Sequence, residues 1–491
     1  NKRIAKNTLL LYIRMLFMMI VSLYTSRVIL DALGVEDFGI YNVVGGVVAM
    51  FSVISGSLSA SISRFITFEL GKGDQSKLNK IFSASVTIQI LLSLIVVILI
   101  ELVGVWFLNS KMIIPADRIL AANWVLQFSI VTFVINLISV PYNASIIAHE
   151  KMSAFAYISI LEAIGKLIIA YLIVIAPMDK LVFYSILMCS VAVIIRFTYG
   201  YYCKRHFKEC TYHFCWDKEL LKNMFGFAGW NFIGAASSVL RDQGGNVVIN
   251  LFFGPSVNAA KGIAMQVNSA ISGFVSNFMT AVNPQMTLIF QGAKFSFYML
   301  LLLSLPVIIN AHYILGLWLK LVPEHAVLFV RLTLLLAMSE SISNPLITAM
   351  LATGRIRNYQ IMVGGLQMLN LPISYIFLRL GCVPESVLFV AIFISQCCLV
   401  ARLYMLRGMI GLSSVKYLKY VYLKVLLVMS TSAIVPILLL KNINETFLSF
   451  LIISVVSILT TSISIFYIGC SKEERVFVRA KVSALCAKIR R

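Results

Sequence analysis

The chain alternates long apolar runs with short polar breaks. Read against the roughly 20 apolar residues that a spanning helix needs, the pattern predicts fourteen helices. They cover about 8–30, 38–66, 80–108, 119–147, 153–176, 181–203, 222–252, 258–286, 289–315, 327–351, 358–379, 386–407, 420–440 and 446–469. No break between runs is long enough to hold a soluble domain. The seventh and eighth runs are the least apolar. They are rich in Gly, Ser and Asn, which suits helices that face other helices or water rather than lipid. The expected fold class is therefore an all-α integral membrane protein of about fourteen transmembrane helices.

Composition agrees. Of 491 residues, 60% are hydrophobic and 12% charged, against roughly 45–50% and about 25% for an ordinary soluble domain. A net charge of +21 in a soluble chain points to nucleic acid. Here the cations lie in the breaks, so topology explains them first. One set of breaks carries Lys72, Lys77, Lys80, Lys151, Lys204, Arg205, Lys208, Lys218, Lys222, Arg355, Arg357, Arg402, Arg407, Lys416 and Lys419. Lys2, Arg3, Lys6 and the tail from Lys472 to Arg491 fall on the same side. The opposite breaks hold Lys111, Arg118, Lys180, Lys320, Arg379 and Lys441. Both termini are thus expected in the cytoplasm, consistent with an even number of spans. The basic tail 471–491 suits either an inner-leaflet amphipathic helix or a solvated end. Nine scattered cysteines imply no disulfide framework. The first run is too long for a signal-peptide core and lacks a cleavage pattern, so it reads as a retained helix.

Sliding the chain on itself gives an internal repeat. PYNASIIAHEKMSAF (141–155) aligns with PLITAMLATGRIRNY (345–359), pairing Pro141 with Pro345, Lys151 with Arg355 and Phe155 with Tyr359. LDALGVEDFG resembles LFFGPSVNAA, with Gly34 opposite Gly254. Spans one to six and seven to twelve read as two copies in one orientation, a parallel repeat. The expected division is 1–216 and 217–407 as six-helix lobes, and 408–491 as two added helices with a basic tail. The second copy lacks about a dozen linker residues between Thr287 and Leu288.

Ionisable residues inside spans mark a functional site by default. Arg14 and Arg27 lie on the first span, Arg64 near the inner end of the second, and Glu340 on the tenth. Glu162 and Lys166 share a face of the fifth at i,i+4. Arg241 and Asp242 fall in the middle of the seventh, and Lys261 on the eighth. Snorkelling to an interface also accounts for Arg27 and Arg64, and a neutralising lock for Glu162 with Lys166. Arg241 lies far from both ends among Asn231, Ser237, Ser238, Gln243 and Asn246, which points to a polar interior. Asp242 follows it by about 100° on an α-helix, so the two need not pair. The positive bias suits an anionic substrate such as a phosphate or diphosphate. A cavity for cationic drugs calls instead for carboxylates and aromatics.

Cys203, His206, Cys210, His213 and Cys215 crowd one short segment, but a single basic loop without a scaffold is a poor zinc site. GKGD at 71–74 has no preceding strand and no Lys-Ser/Thr ending, so it is not a phosphate loop. No Walker, HExxH or GxSxG motif occurs. No enzyme, metal or cofactor is expected.

The stretch NTLLLYIRMLFMMIVSLYTSRVILDALGVEDFGIYNVVGG, followed by SLSASISRF and ELGKGD, resembles the polysaccharide-biosynthesis (Wzx-type) flippases. These belong to the multidrug/oligosaccharidyl-lipid/polysaccharide (MOP) exporter superfamily. FAGWNFIGAASSVLRDQGGNVVINLFFG and NPLITAMLATGRIRNYQ extend the resemblance into the second half. It covers essentially the whole chain, through a diffuse pattern rather than one diagnostic residue; the missing linker departs from it. The resemblance implies two MATE-like six-helix lobes related by a pseudo-twofold axis, around a cavity open to one side at a time. It implies an undecaprenyl-diphosphate-linked oligosaccharide, an O-antigen or capsule repeat unit, moved across a bacterial inner membrane. By motif position it places Arg27, Arg64, Arg241 and Lys261 in the cavity, with Asp242, Glu162, Lys166 and Arg14 as further candidates. Expected partners are the lipid-linked substrate, membrane lipid and glycan polymerase machinery, with H+ or Na+ as coupling ion and no nucleic acid. A cation-coupled multidrug exporter of the same fold, or a non-transporting scaffold of a glycan-synthesis complex, are the alternatives.

Overall fold

A computed structural model describes residues 2–149, 151–214, 218, 236–282, 289–353 and 356–476, without the side chains of 2–13, 53–61, 64, 276–282, 351–352 and 356. The described residues are mainly helical, with no strand among them. That is the expected answer for apolar runs in lipid, where each backbone polar group must find its partner inside its own segment.

The helices in chain order are α1 (Lys2–Ala49), α2 (Ser52–Lys72), α3 (Gln75–Ser110), α4 (Ala116–Ala148), α5 (Met152–Ile175) and α6 (Lys180–His206). After these come α7 (236–253), α8 (Pro255–Val282), α9 (Ile289–Ile309), α10 (Ala311–Trp318), α11 (Ala326–Ser341) and α12 (Asn344–Ala352). The last four are α13 (Arg357–Arg379), α14 (Ser386–Ile410), α15 (Ser414–Asn442) and α16 (Phe447–Gly469). Ten helices among the described residues are long and apolar enough to cross a membrane, or eleven if α11 and residues 344–350 form one bent span. Residues 222–235 of the expected seventh span lie outside the described residues, as does the gap between Thr287 and Leu288. α8 is long, but Asn258, Lys261, Gln266 and Asn268 make it polar.

Several boundaries differ from expectation: the expected spans 289–315 and 327–351 are broken at Asn310 and at Ile342–Ser343, and two more differ in the first half. Residues 31–37 form no loop: two helical stretches meet within α1 at Gly34 alone. The second expected span, 38–66, is broken at Met50–Phe51, where an i→i+3 bond from the Phe51 N–H to the Val48 carbonyl (3.1 Å) ends α1. Gly34 adopts φ 78°, ψ 172° and Gly254, between α7 and α8, adopts φ 76°, ψ −172°. This region is open essentially to glycine alone. The two residues paired by the repeat thus hold the same unusual backbone.

Packing divides the chain into two compact units: residues 1–267 with 319–329 and 356–394, and residues 268–318 with 330–355 and 395–491. This is a partition by packing, whereas the expected lobes are a partition by repeat. In the first unit α4 runs along α6, α1 lies against α4 and α5, and α2 lies against α3 and α4. Arg118, at the start of α4, ties that end together by ion pairs to Asp37 and to Asp179 (2.6 Å). Burial raises the Asp179 carboxyl, but Arg118 and the N–H groups of Val182 and Leu181 outweigh it and hold it below the ordinary carboxylate range. A segment after α6 is clipped to α3 and α4. Asn79 donates to the carbonyls of Glu209 and Thr211, and His149 pairs with the buried Glu209 at 2.5 Å. In the second unit α15 and α16 form a hairpin against α9.

Candidate functional site

The structure gathers six of the eight predicted ionisable residues of the first unit into two clusters, leaving out Arg27 and Arg64. The first is built on α7 and α8. Residues 240–244 form a π turn, one of five among the described residues; such widened turns recur at functional sites. This turn carries Arg241 and Asp242. They pair, Arg241 Nε donating to Asp242 Oδ1 at 2.9 Å, whereas an ideal α-helix sets successive side chains about 100° apart. The wider turn and the long arginine stem close that angle. Lys261 reaches across from α8. It is 3% exposed, and its Nζ donates to the Asp242 carbonyl at 3.2 Å.

That approach needs bare backbone. A Cβ on Gly245 would stand 2.7 Å from Lys261 Nζ. Where the second stretch of α1 meets the start of α8, a Cβ on Gly39 would stand 1.8 Å from the Pro255 carbonyl oxygen. Small residues thus bring polar helices together, as is usual in membranes. Two buried asparagines fix the frame. Asn258 donates to the Asn246 carbonyl at 2.7 Å. Asn250 accepts from the Ile113 N–H (3.1 Å) and donates to its carbonyl (3.3 Å). The cluster holds two cations and one carboxylate, a net positive site.

The second cluster lies among α4, α5 and α6. Lys166 Nζ donates to Glu162 Oε1 at 2.7 Å, one turn apart on α5. The pair lines a cavity of about 340 Å³. Arg14 comes from α1, within electrostatic range of Glu162 and Tyr199, and its guanidinium lies 4.5 Å from the Phe155 ring centroid. Arg27 is half-buried on α1, with no hydrogen bond or ion pair among the described residues. Arg64 lies on α2, and its side chain is outside the described residues.

Sequence reasoning missed the rest of that cavity wall. Thr132, Asn136, Ser139 and Asn143 line it from α4. Their spacing of four, three and four puts them on one helical face, a polar stripe inside an apolar run that was legible had spacing been read there. Asn250 and Asn258 were missed as well, since a single asparagine in a span gives no sign of what it grips. Cys203 and Cys210 are buried in an apolar cluster with Phe82 and Phe207.

A sequence model of the family described as polysaccharide biosynthesis protein matches residues 2–290. No curated protein matches the chain. Among solved structures the chain is similar to the lipid II flippase MurJ in an inward closed conformation. The TM-score is 0.69 at 13% identity, over 94% of this chain and 99% of that one. It is also similar to an inward-facing multidrug resistance MATE family transporter of the MOP superfamily, with a TM-score of 0.51 at 11% identity over 96% of each chain. A MATE in complex with MaD3S gives 0.56 at 15% identity, over 83% of this chain and 96% of that one. At such identities the likeness shows the fold, a helical membrane fold shared by flippases and exporters. With more than half of its length matched by the family, the chain belongs to the polysaccharide biosynthesis protein family.

Proposed function

We propose that the protein is a flippase for undecaprenyl-diphosphate-linked oligosaccharide, an O-antigen or capsule repeat unit, in a bacterial inner membrane. Both termini then lie in the cytoplasm. The observation that carries this reading is the net-positive cluster on two polar helices, in which buried Lys261 meets the half-buried Arg241–Asp242 pair. Guanidinium and ammonium groups held in a low-dielectric interior suit a diphosphate, which offers several acceptors and more than one negative charge. Arg27, without a hydrogen-bond or ion-pair partner among the described residues, and Arg64 extend the positive surface. The polyprenyl tail stays in lipid while the headgroup crosses. Rocking of two six-helix lobes, 1–216 and 217–407, alternates access, with 408–491 beside the lipid tail. The two acids singled out in spans of the first unit, Glu162 and Asp242, each pair with a neighbouring cation, which lends little support to a cation-drug exporter.

The test is surface glycan in cells carrying Arg241→Ala or Lys261→Ala at normal protein level. The expected result is a loss of at least tenfold in export for each. Unchanged export in both would sink the reading.

A further inference from the structure

The cavity among α4, α5 and α6 is distinct from the Arg241 cluster, and the proposed diphosphate site does not use it. Its volume of about 340 Å³ is room on the order of ten waters at about 30 Å³ each. It lies near the lower end of the roughly 300–1,000 Å³ typical of ligand pockets. A polyprenyl chain does not fit its chemistry, because Asn136, Asn143, Glu162 and Lys166 all face it. A free cation is disfavoured by Lys166, which already occupies Glu162 at 2.7 Å, and by Arg14 nearby. A strongly anionic group meets the Glu162 carboxylate.

What remains complementary is a ring of hydroxyls. Each hydroxyl donates once and accepts up to twice, and each wall amide does both. Asn143 Oδ1 is buried without a hydrogen-bond partner, and so is Arg14 Nε. Such groups are costly unless a ligand or water completes them. That oxygen has almost no surface open to the cavity, so a sugar ring would meet first the Thr132 and Ser139 hydroxyls and the Asn136 amide that line the same wall, with Asn143 behind them.

We infer that this cavity is a glycan subsite: it receives one sugar ring of the headgroup while the cationic cluster holds the diphosphate. This rests on the proposed flippase reading for the lipid to which the sugar is attached. It makes the cavity the place where glycans are told apart, because a site built to hydrogen-bond hydroxyls rejects headgroups lacking them.

The experiment measures binding to the full-length protein in detergent. The probes are bare undecaprenyl diphosphate and a panel of the same lipid bearing one glucose, galactose, N-acetylglucosamine or glucuronate. Wild type is expected to bind at least one panel member about tenfold more tightly than the bare lipid. Asn143→Leu removes an amide from the wall, and Ala192→Phe fills the cavity without removing a polar group. Each should abolish that advantage and leave bare-lipid affinity within twofold. Thermal unfolding confirms that each variant is folded; should one fail to fold, the other carries the test. Equal binding of bare and sugar-bearing lipids by wild type overturns the subsite, as does an advantage that survives in a folded variant. The flippase reading itself fails separately, if wild type binds bare undecaprenyl diphosphate no better than Arg241→Ala does.

Discussion

Two polar regions of the same unit solve opposite problems. The cluster on α7 and α8 is tight. Backbone meets backbone at Gly39 and Pro255, and Lys261 is threaded past Gly245 to the Asp242 carbonyl. The α4–α6 region is roomy, with its ion pair on the wall of a cavity and both side chains over a third exposed. A tight cluster anchored on buried Lys261 fixes charge in space, which suits an invariant group such as a diphosphate. A roomy, hydroxyl-matched cavity suits the part of a substrate that varies. The contrast makes a measurable claim: one added carbon should be ruinous in the first region and tolerated in the second.

The largest effect is expected at Gly39. A Cβ there would stand 1.8 Å from the Pro255 carbonyl oxygen and 2.5 Å from its carbon. Both clashing atoms are backbone, so no side chain can swing aside. Gly39→Val should cost more than about 4 kcal/mol, the range reserved for severe mechanisms, and little folded protein should be recovered from membranes. Ala192→Phe adds more atoms on the cavity wall, yet should cost under about 1 kcal/mol because it fills existing space rather than overpacking a full core. If both variants unfold alike, the contrast is wrong.

A smaller effect sharpens the tight side. A Cβ on Gly245 meets the mobile end of Lys261 at 2.7 Å, not backbone. Gly245→Ala should therefore displace Lys261 and destabilise by about 1–2 kcal/mol, within the range of contacting pairs. In a Lys261→Ala background the same change should be neutral or stabilising, since alanine exceeds glycine as a helix former by about 1 kcal/mol. The double-mutant cycle on thermal or denaturant unfolding reads this coupling directly. Additivity would show that Gly245 is not there to admit Lys261.

How much of this was legible in the sequence depends on which contacts are local. The helices were, because lipid forces apolar runs into helices whatever surrounds them. The Glu162–Lys166 pair was, because i,i+4 neighbours share a face by geometry alone. Gly34 and Gly254 were paired by sequence, and their shared backbone follows from the conformations only glycine adopts. The Arg241–Asp242 pair was not, because the 100° rule assumes an α-helix and the π turn at 240–244 breaks it. The contact of Lys261 with the Asp242 carbonyl was not, because it depends on two helices meeting, which no periodicity encodes. The break at Met50–Phe51 was hidden for the opposite reason: hydropathy runs through it without a change.

The smallest expected effect bears on the roomy side. Exchanging the charges, Glu162→Lys with Lys166→Glu, keeps the pair but reverses its order. Glutamate N-terminal to lysine at i,i+4 is the better order, by tenths of a kcal/mol. The pair is over a third exposed, and exposed pairs contribute about 0–1 kcal/mol. The exchange should therefore shift unfolding free energy by less than about 0.5 kcal/mol. It also moves the acceptor by four residues, about 6 Å along the helix at about 1.5 Å per residue, which is far for a hydroxyl that must stay within hydrogen-bond reach. Discrimination between sugar-bearing and bare lipid should fall although stability does not. The reverse outcome, a loss of several kcal/mol with discrimination intact, would make Glu162 and Lys166 a packing lock and leave Asn136 and Asn143 to face the cavity alone.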